Sequence, residues 1–322
     1  MNRFMFAVAV EIVVALASGR AFAQSYPDRP IRMLVPFAAG GTADFVGRTV
    51  GKQLSAALGQ PVVIDNRTGA GGVIATTTAA RATPDGYTLL ISSAANAANV
   101  SLVRNLPYDF ERDLAPITLV VLSPYILVVN PAVPAKSVAE LIGVAKAKAG
   151  ELNFASTGYG TSQHLAGVMF NLMAGTRMAY ITYKGAAAAM PDLIGGRVQI
   201  LFSGIPAALP QVKAGRLRAL AVTSEKRSAG IPDVPTVGEN GLPGYSMTAW
   251  HGLLAPRSTP PRIVALLNRT VVEGIRSREM RDLFIGLGLD PVGDTPAEHK
   301  AFISDEIRKI SKLVKDADLK PE

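Results

Sequence analysis

Two glycine loops hold the residues through which this chain could do chemistry. The first reads Phe37-Ala38-Ala39-Gly40-Gly41-Thr42-Ala43-Asp44, between an apolar strand at 31–36 and a helical pattern at 42–58. The N–H groups in the first turn of a helix have no partner within the helix, and the positive end of its dipole lies there. Both suit a carboxylate or a phosphate. Adjacent Gly40 and Gly41 let a ligand approach the backbone closely. The plainer alternative is a tight strand-to-helix turn in which Asp44 complements the dipole. The loop is not a P-loop, because no Gly-Lys-Ser/Thr follows, and it lacks the G-x-G-x-x-G spacing of dinucleotide sites.

The second loop, Ser156-Thr157-Gly158-Tyr159-Gly160-Thr161-Ser162-Gln163-His164, repeats the order of strand, glycine turn and helix start. Hydroxyls of Ser156, Thr157, Thr161 and Ser162 add donors around Gly158 and Gly160. His164 in the first helical turn is either a structural histidine or a ligand contact. Lys184, in Tyr183-Lys184-Gly185, is either an anion partner or a solvated loop lysine. Ser92, with Ser93 and Asn96, follows a third strand at its carboxyl end, where open α/β sheets carry ligand contacts. Phe37 and Trp250 could wall a pocket or sit in a core.

Catalysis has less support. The chain has no cysteine, which excludes disulfides, thiolate zinc, iron–sulfur clusters and a catalytic thiol. His164, His251 and His299 do not pair at the spacings of common zinc motifs, so neither a metal nor a cofactor is expected. No G-x-S-x-G elbow occurs. Ser162 and His164 lie two apart, so on a helix they diverge by about 200° and do not form a nucleophile–base pair. A triad assembled from distant residues would still make a secreted α/β hydrolase, the alternative to a binding role.

The elements that must position these loops alternate. Strand, helix, strand, helix, strand runs from Ile31 to Ser92, with Val46, Val50, Leu54 and Leu58 on one helical face and Gly59 as its stop. That pattern makes βαβ units and a parallel sheet covered on both faces. A second alternation runs from Tyr125 to Thr223. A helical tail after Trp250 has no sheet of its own and is expected to return to the first domain. The expected organisation is an α/β fold of two lobes with a hinge and an interdomain cleft. Domain 1 comprises 24–122 plus 225–322, and domain 2 comprises 123–224.

Length and composition agree with that picture. The 322 residues are 48% hydrophobic and 18% charged, a globular chain long enough for two domains. The N-terminus reads as a secretory signal: Arg3, an apolar run from Phe4 to Ala17 broken by Glu11, and Ala21-Phe22-Ala23 with cleavage after Ala23. The run is shorter than the roughly 20 apolar residues a membrane span needs. Removing it takes away Arg3, Arg20 and Glu11 and leaves a charge of +7 from the formal +8. The remaining basic residues are scattered and form no nucleic-acid module, so nucleic acid is not an expected partner.

Taken in order, the segments resemble the Bug family of extracytoplasmic solute receptors, the binding proteins of tripartite tricarboxylate transporters. The resemblance runs over nearly the whole chain after residue 23. It rests on Tyr26-Pro27-Asp28-Arg29-Pro30-Ile31, Val35-Pro36-Phe37-Ala38-Ala39-Gly40-Gly41, Gly59-Gln60-Pro61-Val62-Val63 and Asn66-Arg67-Thr68-Gly69-Ala70-Gly71-Gly72. It continues through Pro84-Asp85-Gly86-Tyr87, Leu106-Pro107-Tyr108-Asp109, Gly158 to Leu165, Tyr183-Lys184-Gly185, Leu217 to Thr223 and Pro232-Asp233-Val234-Pro235-Thr236.

The resemblance implies a type II periplasmic-binding-protein fold that closes on its ligand. It implies that both loops, here Phe37–Thr42 and Thr157–Ser162, grip a carboxylate, partly through ordered water. It further implies a non-enzymatic periplasmic receptor for a small organic acid or acidic amino acid, which meets membrane subunits of a tripartite transporter. A monomer is expected. A receptor serving a signalling partner instead of transport would read the same in sequence. The final helix departs from the family in carrying Ile310 and Leu313 where a Trp is frequent, and Glu11 interrupts the signal.

Overall fold

The computed structural model describes residues 26–184 and 186–321, so the expected signal segment and its cleavage point at Ala23 lie outside the described residues. The chain builds two sheets. Strand β1 (Ile31–Val35) is almost wholly apolar and sits inside the first sheet, parallel to β2 (Val62–Asn66) and β3 (Thr88–Ser93). Helix α1 (Thr42–Leu58) joins β1 to β2 and buries Val46, Val50 and Leu54 on one face. Gly59 ends it in the left-handed conformation (φ 70°), a position that favours glycine. Helix α2 (Val73–Ala80) leads to β3, and α3 (Ala94–Leu102) follows at once, opened by a reciprocal cap between Ser93 and Asn96.

The strand order of the first sheet is β11-β4-β10-β3-β1-β2, with β4 at Leu114–Ser123, β10 at Ala249–Pro256 and β11 at Asp290–Pro291. The alternation correctly predicts three parallel strands. The sheet is nevertheless mixed, because β10 runs antiparallel to both β3 and β4. The chain leaves this sheet at Ser123, passes Pro124 and enters the second sheet at once as β5 (Tyr125–Val129).

The second sheet has the order β7-β6-β8-β5-β9. Its strands are β6 (Asn153–Ser156), β7 (Ala179–Thr182), β8 (Ile200–Gly204) and β9 (Arg218–Val222). Helices α4 (Val138–Ala147), α5 (Ser162–Ala174), α6 (Ala186–Ile194) and α7 (Ile205–Lys213) connect them. The tail forms α8 (Pro261–Arg276), α9 (Arg278–Gly286) and α10 (Pro296–Asp316), and α8 and α10 lie against β4 of the first sheet. Side-chain caps open α4 and α10. Ser137 Oγ accepts from Glu140 N–H (3.1 Å), and Thr295 with Glu298 caps α10 reciprocally.

Past residue 225 the chain still bonds to the second half. Val237 N–H donates to Val222 O (2.9 Å), Asn240 Nδ2 to Leu220 O (2.8 Å) and Tyr245 Oη to Ala166 O (2.9 Å). Residues 237–245 therefore ride on the second sheet before β10 re-enters the first. One apolar cluster runs through both halves and joins Leu90, Leu102 and Trp250 to Leu127, Phe154 and Phe170. The outer faces of the two sheets carry separate cores, around Met33, Val46 and Phe284 in one and Ile126, Leu193 and Leu201 in the other.

Candidate functional site

Parallel strands bring their carboxyl ends to one edge of a sheet, and the helices that follow begin there. In the first half this edge carries the start of α1, and in the second the starts of α5 and α7. Between the halves lies a cavity of about 260 Å³. Gly40, Gly41, Thr42 and Phe45 line it from α1, and Ser123 from the crossing. Gly204, Ile205 and Pro206 line it from the head of α7, and Leu287, Gly288 and Leu289 from the turn after α9.

Two helix N-termini therefore border one cavity. Gly41 is the N-cap of α1 and Gly204 that of α7, and neither start has a side-chain cap. Their first-turn N–H groups remain for a guest, apart from Pro206, which has none. Both positive dipole ends favour an anion there. No ionisable side chain lines this cavity among the described residues.

The halves touch around it. A Cβ added to Gly288 would lie 2.8 Å from Ile205 Cβ, and one added to Gly160 would lie 2.9 Å from Leu102 Cδ1. Tyr159 Oη donates to Lys320 O (2.9 Å), which ties the second loop to the C-terminal tail.

Each residue expected at the site has a definite place. In the first loop, Gly40, Gly41 and Thr42 line the cavity. Ala38 and Ala39 are exposed beside it, and Phe37 packs half-buried on the core around Met33. Asp44 is buried and shapes the loop from behind. Its Oδ2 accepts from Gly40 N–H (3.0 Å) and Arg48 Nε (2.9 Å), and its Oδ1 accepts from Asn66 Nδ2 (2.9 Å). The Arg48 hydrogen bond, together with those from Gly40 and Asn66, holds the Asp44 carboxyl down at about 2. The amide of Gly40 is thereby engaged, which leaves the amides from Gly41 onward for a guest. Asn66 also donates to Phe37 O (3.0 Å), so a residue from β2 braces both ends of the loop.

The second loop satisfies much of itself. Thr161 Oγ1 donates to Gly158 O (2.8 Å) and accepts from His164 N–H (3.3 Å). Gly158 N–H donates to Ser156 Oγ (3.3 Å), and Gly160 N–H donates to His164 Nδ1 (3.2 Å). Ser162 is hydrogen-bonded to the Tyr125 hydroxyl, which burial pushes up to about 12. Thr157 is half-buried, and neither it nor any other residue of 157–162 lines the cavity.

Three of the expected residues lie away from this cavity. His164 is buried and faces Tyr159 and Tyr180, with ring centroids 5.1 and 4.4 Å away. Desolvation pushes its pKa down to about 4, so it is a neutral brace of the loop. Ser92 is fully buried and spends its hydroxyl on Gly252 O (3.1 Å) within the first sheet. Lys184 is exposed and lines no part of the cavity. Trp250 belongs to the core, with Nε1 donating to Glu306 Oε2 (3.2 Å).

The cavity residues missing from the sequence reading are Phe45, Ser123, Gly204 to Pro206 and Leu287 to Leu289. Gly204-Ile205-Pro206 carried a usable signal, since it is a third junction of strand, glycine and helix start. The stretch Leu287 to Leu289 carried none, because only its packing against α7 brings it to the cleft.

Comparison with known proteins agrees with this architecture. Residues 46–319 match the family model described as tripartite tricarboxylate transporter family receptor. Protein BugT of Bordetella pertussis is 39% identical over 322 residues, covering 99% of each chain. The structure of R. palustris Rpa4515 with adipate is 36% identical with a TM-score of 0.79, over 92% of this chain and 100% of that one. The periplasmic binding protein BugD is 34% identical with a TM-score of 0.76, over 92% of this chain and 100% of that one. With a matching family model over most of its length and a full-length relative above 30% identity, this chain belongs to the tripartite tricarboxylate transporter receptor family.

Proposed function

We propose that this chain is an extracytoplasmic solute receptor that seats the carboxylate of a small acid between its two lobes. The observation that carries the reading is the pair of uncapped helix starts, at Gly41 and Gly204, on one cavity between the two sheets. The mechanism is hinge closure. Residues near 123–125 and the return segment into β10 form the hinge between the two domains, and an anion that touches both lobes selects the closed state. Exclusion of water from the shut cleft strengthens the attraction between the anion and the helix ends. The adipate bound to Rpa4515 supports a carboxylate as the ligand class.

In this reading the first loop, with Gly41 and Thr42 foremost, contacts the acid directly. Asp44 positions that loop. Thr157–Ser162 forms the neighbouring rim, from which the first-turn amides of Ser162 and Gln163 reach the guest through water. The chain is exported, with cleavage after Ala23, acts as a periplasmic monomer and passes its solute to membrane subunits of a tripartite transporter. Its role in this reading is binding without catalysis. A hydrolase would need a base on a hydroxyl, and His164 Nδ1 already accepts the Gly160 amide.

A thermal-shift screen of mono-, di- and tricarboxylates on ligand-free protein tests this reading. At least one acid is expected to raise the unfolding midpoint in a dose-dependent way. A flat response to every acid, with ester turnover that Ser162→Ala abolishes, would favour the hydrolase.

A further inference from the structure

A second concavity, on the flank of the second lobe, carries chemistry that the cavity between the lobes does not use. It is bordered by α5, the turn at 175–178, the edge strand β7 and the chain just after α10. Its volume is about 510 Å³, and it shares no lining residue with the cavity at Gly41 and Gly204. We propose that this groove is a separate binding site for a compact aromatic anion, with the ring against Phe154 and Tyr180 and the charge at Arg177.

The walls are fixed by their own hydrogen bonds. Thr176 Oγ1 donates to Asn171 Oδ1 (2.8 Å), which also accepts from Met178 N–H (3.1 Å), and Asn171 Nδ2 donates to Met178 O (2.8 Å). The turn that carries Arg177 is thereby stapled to α5. Another wall is formed by Ala317 and Leu319. That stretch is held by Tyr159 Oη on Lys320 O (2.9 Å) and by Arg104 Nε on Pro321 O (3.2 Å). Leu172 and Tyr180 are each 43% exposed, and they join Phe154, Val168, Met178 and Leu319 in a largely apolar lining. Exposed apolar surface gathered in one concavity of ligand size is the usual make-up of a small-molecule site.

The polar groups in the lining define the guest. Arg177 makes no ion pair or hydrogen bond among the described residues. No acidic side chain lines the groove among those residues, and Asp318 beside it pairs with Lys320. An unpaired guanidinium in such a concavity suits an anionic group. His164 is 1% exposed and accepts the Gly160 amide at Nδ1 (3.2 Å), so its proton sits on Nε2. That N–H has no partner among the described residues, and unlike the ring nitrogens of His299 it is not sealed in the core. His164 lines the groove, so a buried donor opens on this space and stays unmet until a guest accepts from it. The rings of Phe154 and His164 stand 6.2 and 4.4 Å from that of Tyr180, centroid to centroid. An aromatic guest extends this cluster with the edge and face contacts that rings favour.

The test is calorimetry with naphthalenesulfonate on the parent chain and on Gly204→Leu, which fills the cavity between the lobes and leaves the groove open. Saturable binding of one equivalent is expected in both. It should be at least tenfold tighter than that of the neutral naphthalenesulfonamide and at least fivefold tighter than that of octanesulfonate. Leu172→Glu and Arg177→Gln, both at exposed residues, are expected to weaken it at least tenfold and fivefold, with unfolding midpoints unchanged. In nitrogen NMR spectra of the histidines, the Nε2 resonance of His164 should move on addition of the sulfonate while those of His251 and His299 stay in place. Absence of saturable binding, binding that Leu172→Glu leaves intact, binding lost in Gly204→Leu or a stationary His164 resonance overturns the groove as the site. Equal affinity for the sulfonamide, or full affinity in Arg177→Gln, removes the anion from the assigned class, and equal affinity for octanesulfonate removes the ring.

Discussion

Gly288→Ala offers the sharpest test of how the lobes close. Gly288 is buried in the turn after α9 and sits against the head of α7. A Cβ built there lies 2.8 Å from Ile205 Cβ, 3.2 Å from Ile205 Cγ2 and 3.3 Å from Pro206 Cδ. Carbon atoms prefer about 3.5–4.0 Å, so the closest pair is short by roughly 0.7 Å. The Ile205 atom involved is a Cβ, which does not swing aside by rotamer change, so the relief must come from separating the lobes. Overpacking of this kind costs roughly 1–3 kcal/mol. The cost falls on the closed state alone, so affinity for an acid is expected to drop about 5- to 150-fold.

Gly288 also has φ +65°, and an alanine there costs about 1 kcal/mol of backbone strain in open and closed states alike. That part lowers the unfolding midpoint without touching affinity. Gly59→Ala is the matched control: φ is +70° and nothing lies within 4 Å of the added Cβ. It is expected to share the stability loss and keep full affinity. Calorimetry with the acid giving the largest thermal shift, together with small-angle scattering of the ligand-free chains, reads out both effects. If Gly288→Ala binds within twofold of the parent, closure does not pass through this contact and the hinge argument is wrong.

Other outcomes follow from the same geometry. At Gly204 the φ of −57° accepts any residue and nothing lies within 4 Å of an added Cβ, so Gly204→Leu is expected to fill the cavity and abolish acid binding while circular dichroism stays unchanged. Retained binding would move the seat away from α7. Asp44 is held at about 2, below its ordinary 3.8, so its contribution to stability is present above about pH 4 and lost as pH falls through 2. Urea midpoints of Asp44→Asn should therefore trail the parent at pH 7 and converge with it near pH 2. Parallel curves would remove Asp44 from its bracing role. Burial pushes His164 and His251 down to about 4 and His299 to about 3, so their NMR ring resonances should stay at neutral positions down to pH 5. Each of these histidines protonates near 6.5 once unfolded, so its stabilising contribution is full above that pH and declines as pH falls toward 4. A histidine titrating near 6.5 in the folded chain would show that its ring is not sealed from water.

Much of the fold is local chemistry and was legible in the residues. Val46, Val50 and Leu54 define the buried stripe of α1, Gly59 ends it, and Ser137 and Thr295 mark helix starts by side chains that reach only three residues ahead. The glycine loop at Gly40 and Gly41 was visible for the same reason. The partners of the site were not. Asp44 is claimed by Asn66 from 22 positions away, and Ser92 by Gly252 from 160 away. Both commitments decide whether a polar group is free for a guest. The cavity itself is assembled from four stretches, at 40–45, at 123, at 204–206 and at 287–289. Strand alternation specifies where helices begin, but the packing of one lobe on the other selects which helix starts face each other. That selection depends on contacts such as Gly288 with Ile205, which no local pattern encodes.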